Sequence, residues 1–311
     1  MTATKKKKPD VYQVVTDSIL AILDKGACPW QKPWKGGKDG MPRNLHSGKP
    51  YRGMNVLLLG WEAMGKGYSS PYWLTYKQAK ELGGSVIKGQ KATTVTFWKL
   101  LSKTEEAATG EDKTSSFMML KMYNVFNYEQ TEGCRIPKGR EATSEPTEPT
   151  AAENAEADKL ATATLADYVY RQPGLAYSEE DSSKAYYVPS RDRIVMPNKA
   201  QFKTPEHYHA VAFHEAGHST GHKSRLARRN LMDPVKFDKH AYGQEELVAE
   251  FTSAFCASWL GVDTSAVFEN SAAYLASWKK TIRADKKMVV MAAAQAQKAA
   301  DLILNIEPTK E

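Results

Sequence analysis

The sequence predicts a two-domain α+β protein in which the first domain contains a small sheet and the second is mainly helical. Residues 137–160, PKGREATSEPTEPTAAENAEADKL, hold four Pro or Gly residues, many small polar residues and no aromatic residue. That composition is typical of an extended linker. It separates a domain at 1–136 from a domain at 161–311, and the two domains differ in charge and in periodicity.

The first domain combines helical and extended patterns. Apolar residues at helical spacing predict a helix over residues 10–25, and a shorter capped helix is expected over 75–84. Alternating apolar and polar residues predict strands at 93–101 and 117–128. The charged segment 102–116 between them is expected to form a hairpin loop. This half is therefore predicted to be α+β with a small sheet.

Basic and aromatic residues are concentrated in this first domain. It carries 21 Lys and Arg against 12 Asp and Glu, and five of the seven tryptophans. Lysine and arginine can neutralise phosphates while aromatic rings stack on unpaired bases, so the composition favours a single-stranded nucleic-acid surface. The alternative is that these rings belong to the core. The candidate DNA-binding residues are Trp30, Lys32, Trp34, Lys35, Arg52 and Lys91.

Several other classes of protein do not fit the composition. The three cysteines, Cys28, Cys134 and Cys256, are far apart and odd in number, which argues against a disulfide framework or a thiolate zinc site. No run of 18 apolar residues and no secretory signal pattern is visible in the sequence. A cytoplasmic protein without a membrane partner is the expectation.

The second domain contains a metal-binding motif. Residues 214–218 read HEAGH, and on a helix His214 and His218 share one face, where both imidazoles can meet one Zn²⁺ ion. Glu215 is then expected to act as a general base toward water. The alternative is a surface helix with incidental histidines. Gly217 disfavours a helix by about 1 kcal/mol relative to alanine, so close approach by a neighbouring element would explain it.

A third ligand is expected from the segment AYGQEELVAEFTSAFCASWLG, residues 241–261, which has the pattern of an amphipathic helix. Glu246 and Glu250 are four residues apart and can point the same way. Ligation by Glu246 is favoured over ligation by Glu245 or Glu250, and Glu250 is expected to hold an imidazole from behind. His222 is a poorer candidate, since the helix is expected to end before it.

The flanks of the motif carry weaker signals. Residues 186–197 are expected to form two short extended pieces about a turn, of the kind that lines the cleft of zinc peptidases. The basic segment KSRLARRNL after the motif is expected to be exposed. Tyr242 is a candidate to stabilise an oxyanion, because it directly precedes the third-ligand region.

Both halves of the chain resemble the antirestriction protein ArdC family. The first half carries WQKPW, GKPYRGMN, WLTYKQAKELGG, VIKGQKATTVTFWK and YNVFNYEQ, which are similar to the single-strand DNA-binding domain of that family and of some plasmid primases. The second half carries DRIVMP, YHAVAFHEAGHSTGHKSRLARR and YGQEELVAEF, which are similar to its zincin-like metallopeptidase domain. The resemblance covers nearly the whole chain apart from the linker.

The resemblance implies single-stranded DNA as a partner, a metal held by His214, His218 and a glutamate, and protection of incoming mobile-element DNA from restriction. Zn²⁺ is the expected ion, with Mn²⁺ as an alternative, and a protein substrate is implied without being identified. Three further hypotheses stay open: a structural metal domain, a peptidase that uses DNA to reach its target, and a replication accessory related to the primases.

Overall fold

The computed structural model describes residues 9–31, 40–106, 112–140, 149–228, 239–264, 267 and 271–307. The first half of the chain contains helices α1 (Val11–Asp24), α2 (Met54–Lys66) and α3 (Tyr76–Glu81), and strands β1 (Arg43–Asn44), β2 (Tyr72–Leu74), β3 (Ser85–Val86), β4 (Thr93–Glu106), β5 (Asp112–Asn127) and β6 (Thr131–Glu132).

Local sequence signals explain where the helices of this half begin and end. The Asp10 side chain accepts a hydrogen bond from the Tyr12 amide and caps α1, and Gly26, at a φ of 81°, turns the chain after it. Thr75 and Gln78 form a reciprocal capping box at the start of α3. Both helices predicted in this half are therefore confirmed.

The sheet of the first half has the strand order β1-β2-β5-β4, and β3 pairs with β6 separately. Strands β4 and β5 form a long antiparallel ribbon, in which Thr93 lies opposite Val125 and Leu101 lies opposite Phe117. The two strands are confirmed, but the ribbon continues beyond residue 101, so the loop predicted at 102–116 is too long. Polar pairs such as Ser102 and Ser116 extend the ladder, because the end of a ribbon in solvent needs no apolar face.

The second half contains helices α4 (Ala151–Arg171), α5 (Pro205–Ser219), α6 (Lys239–Leu260), α7 (Ala272–Ala284) and α8 (Met288–Leu304), and strands β7 (Ala176–Glu180), β8 (Tyr186–Val188) and β9 (Arg193–Pro197). The strands form a three-stranded sheet in the order β7-β9-β8, with β8 and β9 antiparallel. These last two strands are the extended pieces that the sequence predicts before the motif helix.

The predicted linker is partly wrong. Residues 151–160 belong to α4, which begins with a capping box between Thr150 and Glu153. Further along, α4 buries Ala161, Leu165 and Tyr168 in the core of the second half. A segment of alanines and charged residues therefore forms the largely exposed first turns of a helix that is held by apolar residues further along.

One hydrophobic core joins the two halves. Buried residues of α1, such as Ile19 and Leu23, belong to the same cluster as the buried residues of α6, α7 and α8. The boundary predicted from composition therefore does not divide the core. No helix in the described part of the chain is long and apolar enough to cross a membrane.

Candidate metal centre

Helix α5 presents the HEAGH motif. It begins at Pro205, after Thr204 accepts a hydrogen bond from the His207 amide, and it ends at Ser219. His214 and His218 are therefore one turn apart on the same helix, and their rings meet edge to face with centroids 4.8 Å apart.

Helix α6 crosses α5 at close range. A Cβ atom on Gly217 would lie 3.2 Å from both Ala249 Cα and Thr252 Cβ, so the absence of a side chain lets the two backbones approach. Phe213 of α5 and Phe251 of α6 are buried in the shared core beside this crossing. The close approach expected at Gly217 is confirmed, and it brings the start of α6 to the histidines.

Three side chains converge at the crossing. His214 Nε2 and His218 Nε2 are 3.2 Å apart, and Glu246 lies 3.6 Å from the first through Oε2 and 3.5 Å from the second through Oε1. Among the described residues, this is the only group of three metal-ligating side chains whose donor atoms all lie within 4.8 Å. A tetrahedral site with bonds of about 2.1 Å has ligand–ligand edges of about 3.4 Å, so the three residues fit a divalent ion.

A buried ion pair holds His218 from behind. The Nδ1–H of His218 donates to Glu245 Oε1 at 3.2 Å, which leaves Nε2 to face the ligand cluster. Arg228 donates to both carboxylate oxygens of Glu245, at 2.9 Å and 2.5 Å, and also to the carbonyl oxygen of Gly217. Burial by itself raises the pKa of Glu245, but the hydrogen bonds from His218 and Arg228 outweigh it and lower the pKa.

The sequence does not predict this support. Its i,i+4 spacing favours Glu250 for the imidazole-holding role, and the basic segment around Arg228 is predicted to be exposed. The side chains of Arg228 and Arg225 are both buried, and the exposed-segment prediction is wrong for them. Basic composition gave no sign of this, because each arginine is held by a carboxylate distant in sequence: Glu245 for Arg228, and Asp192 for Arg225.

The surroundings of Glu250 do not fit the role predicted for it. It accepts a hydrogen bond from the Tyr274 hydroxyl at 3.1 Å, and its charge acts on His214. Burial raises the pKa of Glu250 above its ordinary value. Its predicted role of orienting an imidazole passes to Glu245, since Glu245 accepts the Nδ1–H of His218.

Electrostatics at the cluster favour a cation. Burial lowers the pKa of His214, but the hydrogen bond to Glu246 and the charges of Glu250 and Glu215 outweigh it and raise the pKa to about 9. Burial by itself raises the pKa of Glu246, but the hydrogen bond from His214 and the charges of both histidines outweigh it, so that the pKa is lowered. The carboxylates of the site therefore stabilise a positive charge at the imidazoles. A metal ion can supply that charge in place of a proton.

Two further side chains border the cluster. Glu215 follows His214 directly and is largely buried. Tyr242 lies at the start of α6, half exposed, with its hydroxyl hydrogen-bonded to Glu246, and burial together with that carboxylate raises its pKa. His222 is outside the cluster, with Nδ1 3.6 Å from Asp192 and 2.8 Å from the Ser224 hydroxyl.

Of the candidate DNA-binding residues, the structure describes Trp30, Arg52 and Lys91, and it places them in different surroundings. The prediction that Trp30 stacks on a base is wrong, because its ring is 2% exposed and packs edge to face against Phe251 and Trp278. The neighbouring backbone is fixed as well, since the Thr264 hydroxyl donates to the Gln31 carbonyl at 2.7 Å. Residues 29–31 thus enter the core of the helical half instead of covering a surface.

The remaining candidates differ in their surroundings. Arg52 is partly buried and its guanidinium pairs with Asp301 of α8. The positive charge expected to meet a phosphate is therefore already paired within the protein. Lys91 is exposed just before β4, as a phosphate-binding residue would need to be. Lys32, Trp34 and Lys35 lie outside the described residues.

Both halves match known families. Residues 9–126 match the N-terminal domain of the anti-restriction factor ArdC, and residues 164–295 match a zincin-like metallopeptidase domain. The metal-free crystal structure of antirestriction protein ArdC from plasmid R388 superimposes with a TM-score of 0.72 at 38% identity, over 96% of this chain and 98% of that one. The chain belongs to the ArdC antirestriction protein family.

Other relatives extend the comparison. The Mn(II)-bound structure of the R388 ArdC protein matches with a TM-score of 0.70 at 36% identity, over 96% of this chain and 98% of that chain. The uncharacterized protein y4eC of Sinorhizobium fredii is 32% identical over 96% of this chain and 92% of its own length.

Primases are also similar over this region. A DNA primase TraC of Escherichia coli is 34% identical over 97% of this chain, and a second is 33% identical over the same share. The chain spans 27% and 20% of the length of these two proteins. The ArdC-type pair of domains therefore occurs both as a chain of this size and as part of much longer ones.

Proposed function

We propose that this ArdC family member binds single-stranded DNA and protects incoming mobile-element DNA from restriction, and that its helical half is a metal-dependent peptidase. The observation that carries the peptidase assignment is the cluster of His214, His218 and Glu246 with Glu215 beside it. Three protein ligands are the number typical of catalytic zinc sites, whereas structural sites use four.

The proposed chemistry divides among the residues of the cluster. His214, His218 and Glu246 hold a divalent ion, and Zn²⁺ and Mn²⁺ are the candidates, the latter because a relative was crystallised with Mn(II). When bound, the ion supplies Lewis-acid polarisation of a peptide carbonyl and of water. Glu215 takes the proton from the attacking water and passes it to the leaving amine. Tyr242, half exposed at the rim, donates a hydrogen bond to the developing oxyanion.

A single substitution separates binding from chemistry. Glu215→Ala is expected to retain the ion, since Glu215 is not among the three ligands, and to lower hydrolysis by about 10²- to 10⁴-fold, the usual contribution of a general base. Metal content is measured by elemental analysis, and hydrolysis with a peptide library read by mass spectrometry. Cleavage at the wild-type rate in this variant would falsify the assignment.

The same variant tests the link between peptidase and protection. In a transfer assay into a restricting recipient, loss of protection in Glu215→Ala would tie the protective act to hydrolysis. Full protection would instead support the hypothesis of a DNA-binding protector whose metal domain is structural. A variant of the exposed Glu156, Glu156→Gln on α4, serves as the control and is expected to protect as wild type does.

A replication accessory is the second candidate, and the match to the TraC primases favours it. In that case the shared region would deliver single-stranded template to a primase. Added in trans, the chain would then raise primer synthesis by a primase lacking this region. The antirestriction proposal expects no such stimulation, so the assay separates the two.

A further inference from the structure

The β4–β5 ribbon carries an exposed apolar surface. Large apolar side chains normally lie inside, and a two-stranded ribbon that exposes several of them is liable to associate. Phe97 is 38% exposed and Phe117 is 45% exposed, and on the opposite side of the ribbon Leu100 and Met118 are exposed as a cross-strand pair. The base of the ribbon is different, because Val95 there is fully buried.

One face of the ribbon combines rings with cations. Alternate residues of a strand share a face, so Phe97 and Lys99 of β4 lie on the same side. Their cross-strand partners are Lys121 and Met119, and Phe117 follows on that side, opposite Leu101. We call Phe97, Lys99, Phe117 and Lys121 the ribbon face.

The charge on this part of the ribbon has one sign. Residues 93–102 and 115–127 contain Lys99 and Lys121 and no aspartate or glutamate. Lys99 is exposed, and Lys121 lies opposite Phe97, whose ring is held edge to face by Tyr123 at 5.5 Å. Within residues 93–102 and 115–127, the rings are thus flanked by cations and by no carboxylate.

We propose that the ribbon face is the surface on which this chain holds single-stranded DNA. Phe97 and Phe117 stack on unpaired bases, and Lys99 and Lys121 neutralise the phosphates between them, which is how sheet surfaces bind single strands without reading sequence. Lys99 between the rings and Lys121 beside Phe97 favour a polyanion over an apolar protein. Duplex DNA binds less well, because its bases are already stacked. This inference rests on the proposed DNA-binding function and names its site.

The test compares two double variants of the full chain. Phe97→Ala/Phe117→Ala is expected to weaken binding of a fluorescent oligothymidine by at least about fivefold for each ring, the lower bound for removing one base stack. Lys99→Glu/Lys121→Glu is expected to weaken binding and to flatten the dependence of log K on log salt by about 0.7 for each phosphate that the variant no longer neutralises. Titration is by fluorescence anisotropy from about 50 mM salt upward.

Matched controls lie on the helical half. Tyr170→Ala, at a ring that is 89% exposed on α4, is the control for the phenylalanine variant. Lys184→Glu/Lys298→Glu, at two exposed lysines, is the control for the lysine variant. Both controls are expected to bind as wild type does. Equal melting temperatures and equal metal content are required of all the proteins, and the lysine variant, which removes no packed ring, keeps the test valid if the phenylalanine variant unfolds.

The outcomes are distinct. Wild-type affinity in both ribbon variants overturns the ribbon face while leaving DNA binding in place. A wild-type chain that does not bind single strands overturns the DNA-binding function and the ribbon face together. A change in oligomeric mass with unchanged DNA affinity assigns the ribbon to contact between copies of the chain, which also overturns the proposal.

Discussion

The metal centre and the ribbon face are built in opposite ways. At the metal centre nearly every donor has a protein partner: Glu245 fixes His218, Arg228 fixes Glu245, and the Gly217 carbonyl receives Arg228. On the ribbon face the phenylalanines expose a third or more of their surface. A site that must hold one ion at fixed distances needs rigid and buried support, whereas a surface that accepts any single strand needs only exposed rings and charges.

The largest effect is expected from a change that removes metal ligands and leaves the ribbon face intact. His214→Ala/His218→Ala removes two of the three ligands, so metal content should fall from about one ion per chain to none, and the added ion should no longer raise the melting temperature. Elemental analysis after dialysis and a thermal melt measure both effects.

His222→Ala is the matched control for that experiment, since this imidazole faces Asp192 and is outside the cluster. It is expected to retain the ion. Stoichiometric metal in the double variant would contradict the site, and DNA affinity unchanged in that variant would sharpen the separation between the two regions.

The next largest effect is a difference in stability between substitutions of two aromatic residues of the first half, one buried and one exposed. Trp30→Ala should lower the free energy of unfolding by about 3–5 kcal/mol, because it empties a pocket between Phe251 and Trp278. Phe117→Ala should change it by no more than about 0.5 kcal/mol, since the ring is exposed. Urea denaturation measures both. If Trp30→Ala lowered DNA affinity without loss of stability, Trp30 would be a stacking residue after all.

The smallest effect tests the support behind a ligand. Glu245→Gln should weaken metal binding by about 10- to 100-fold, because the amide accepts the His218 proton less strongly and leaves Arg228 without its counter-charge. Competition with a chromogenic chelator gives the affinity, and Glu156→Gln is the exposed control. An affinity equal to wild type would show that His218 is oriented by packing alone.

Much of the metal centre was readable from the sequence because its parts are local. His214 and His218 need only a helix to share a face, and Thr204 and Pro205 are an N-cap residue and a first-turn proline of the kind that starts such a helix. The spacing of Glu246 and Glu250, four residues apart on an amphipathic segment, favours Glu246 as the third ligand. Glu245 has no glutamate one turn after it, and its partners, His218 and Arg228, are 27 and 17 residues away.

The DNA-binding residues were less readable. Trp30 lies in a segment rich in Pro, Gly and Lys, which predicts a surface loop, yet its ring packs in the core between Phe251 of α6 and Trp278 of α7. No local pattern distinguishes such an insertion from a loop, because burial here depends on helices more than 200 residues further along the chain. Phe97 and Phe117 fit ordinary strand periodicity, and their exposure depends on how far the ribbon extends beyond α2.

The sequence by itself determined the α+β composition, the helix that carries the two histidines, the glutamates able to join them, and the resemblance of both halves to the ArdC family. Capping, periodicity and i,i+4 spacing act over a few residues and so leave a local record. The tertiary structure decided that the two halves share one core, that Glu245 rather than Glu250 orients an imidazole, and that Trp30 is buried. Each of these depends on which distant helices pack together, and packing between distant segments leaves no periodic trace in the chain.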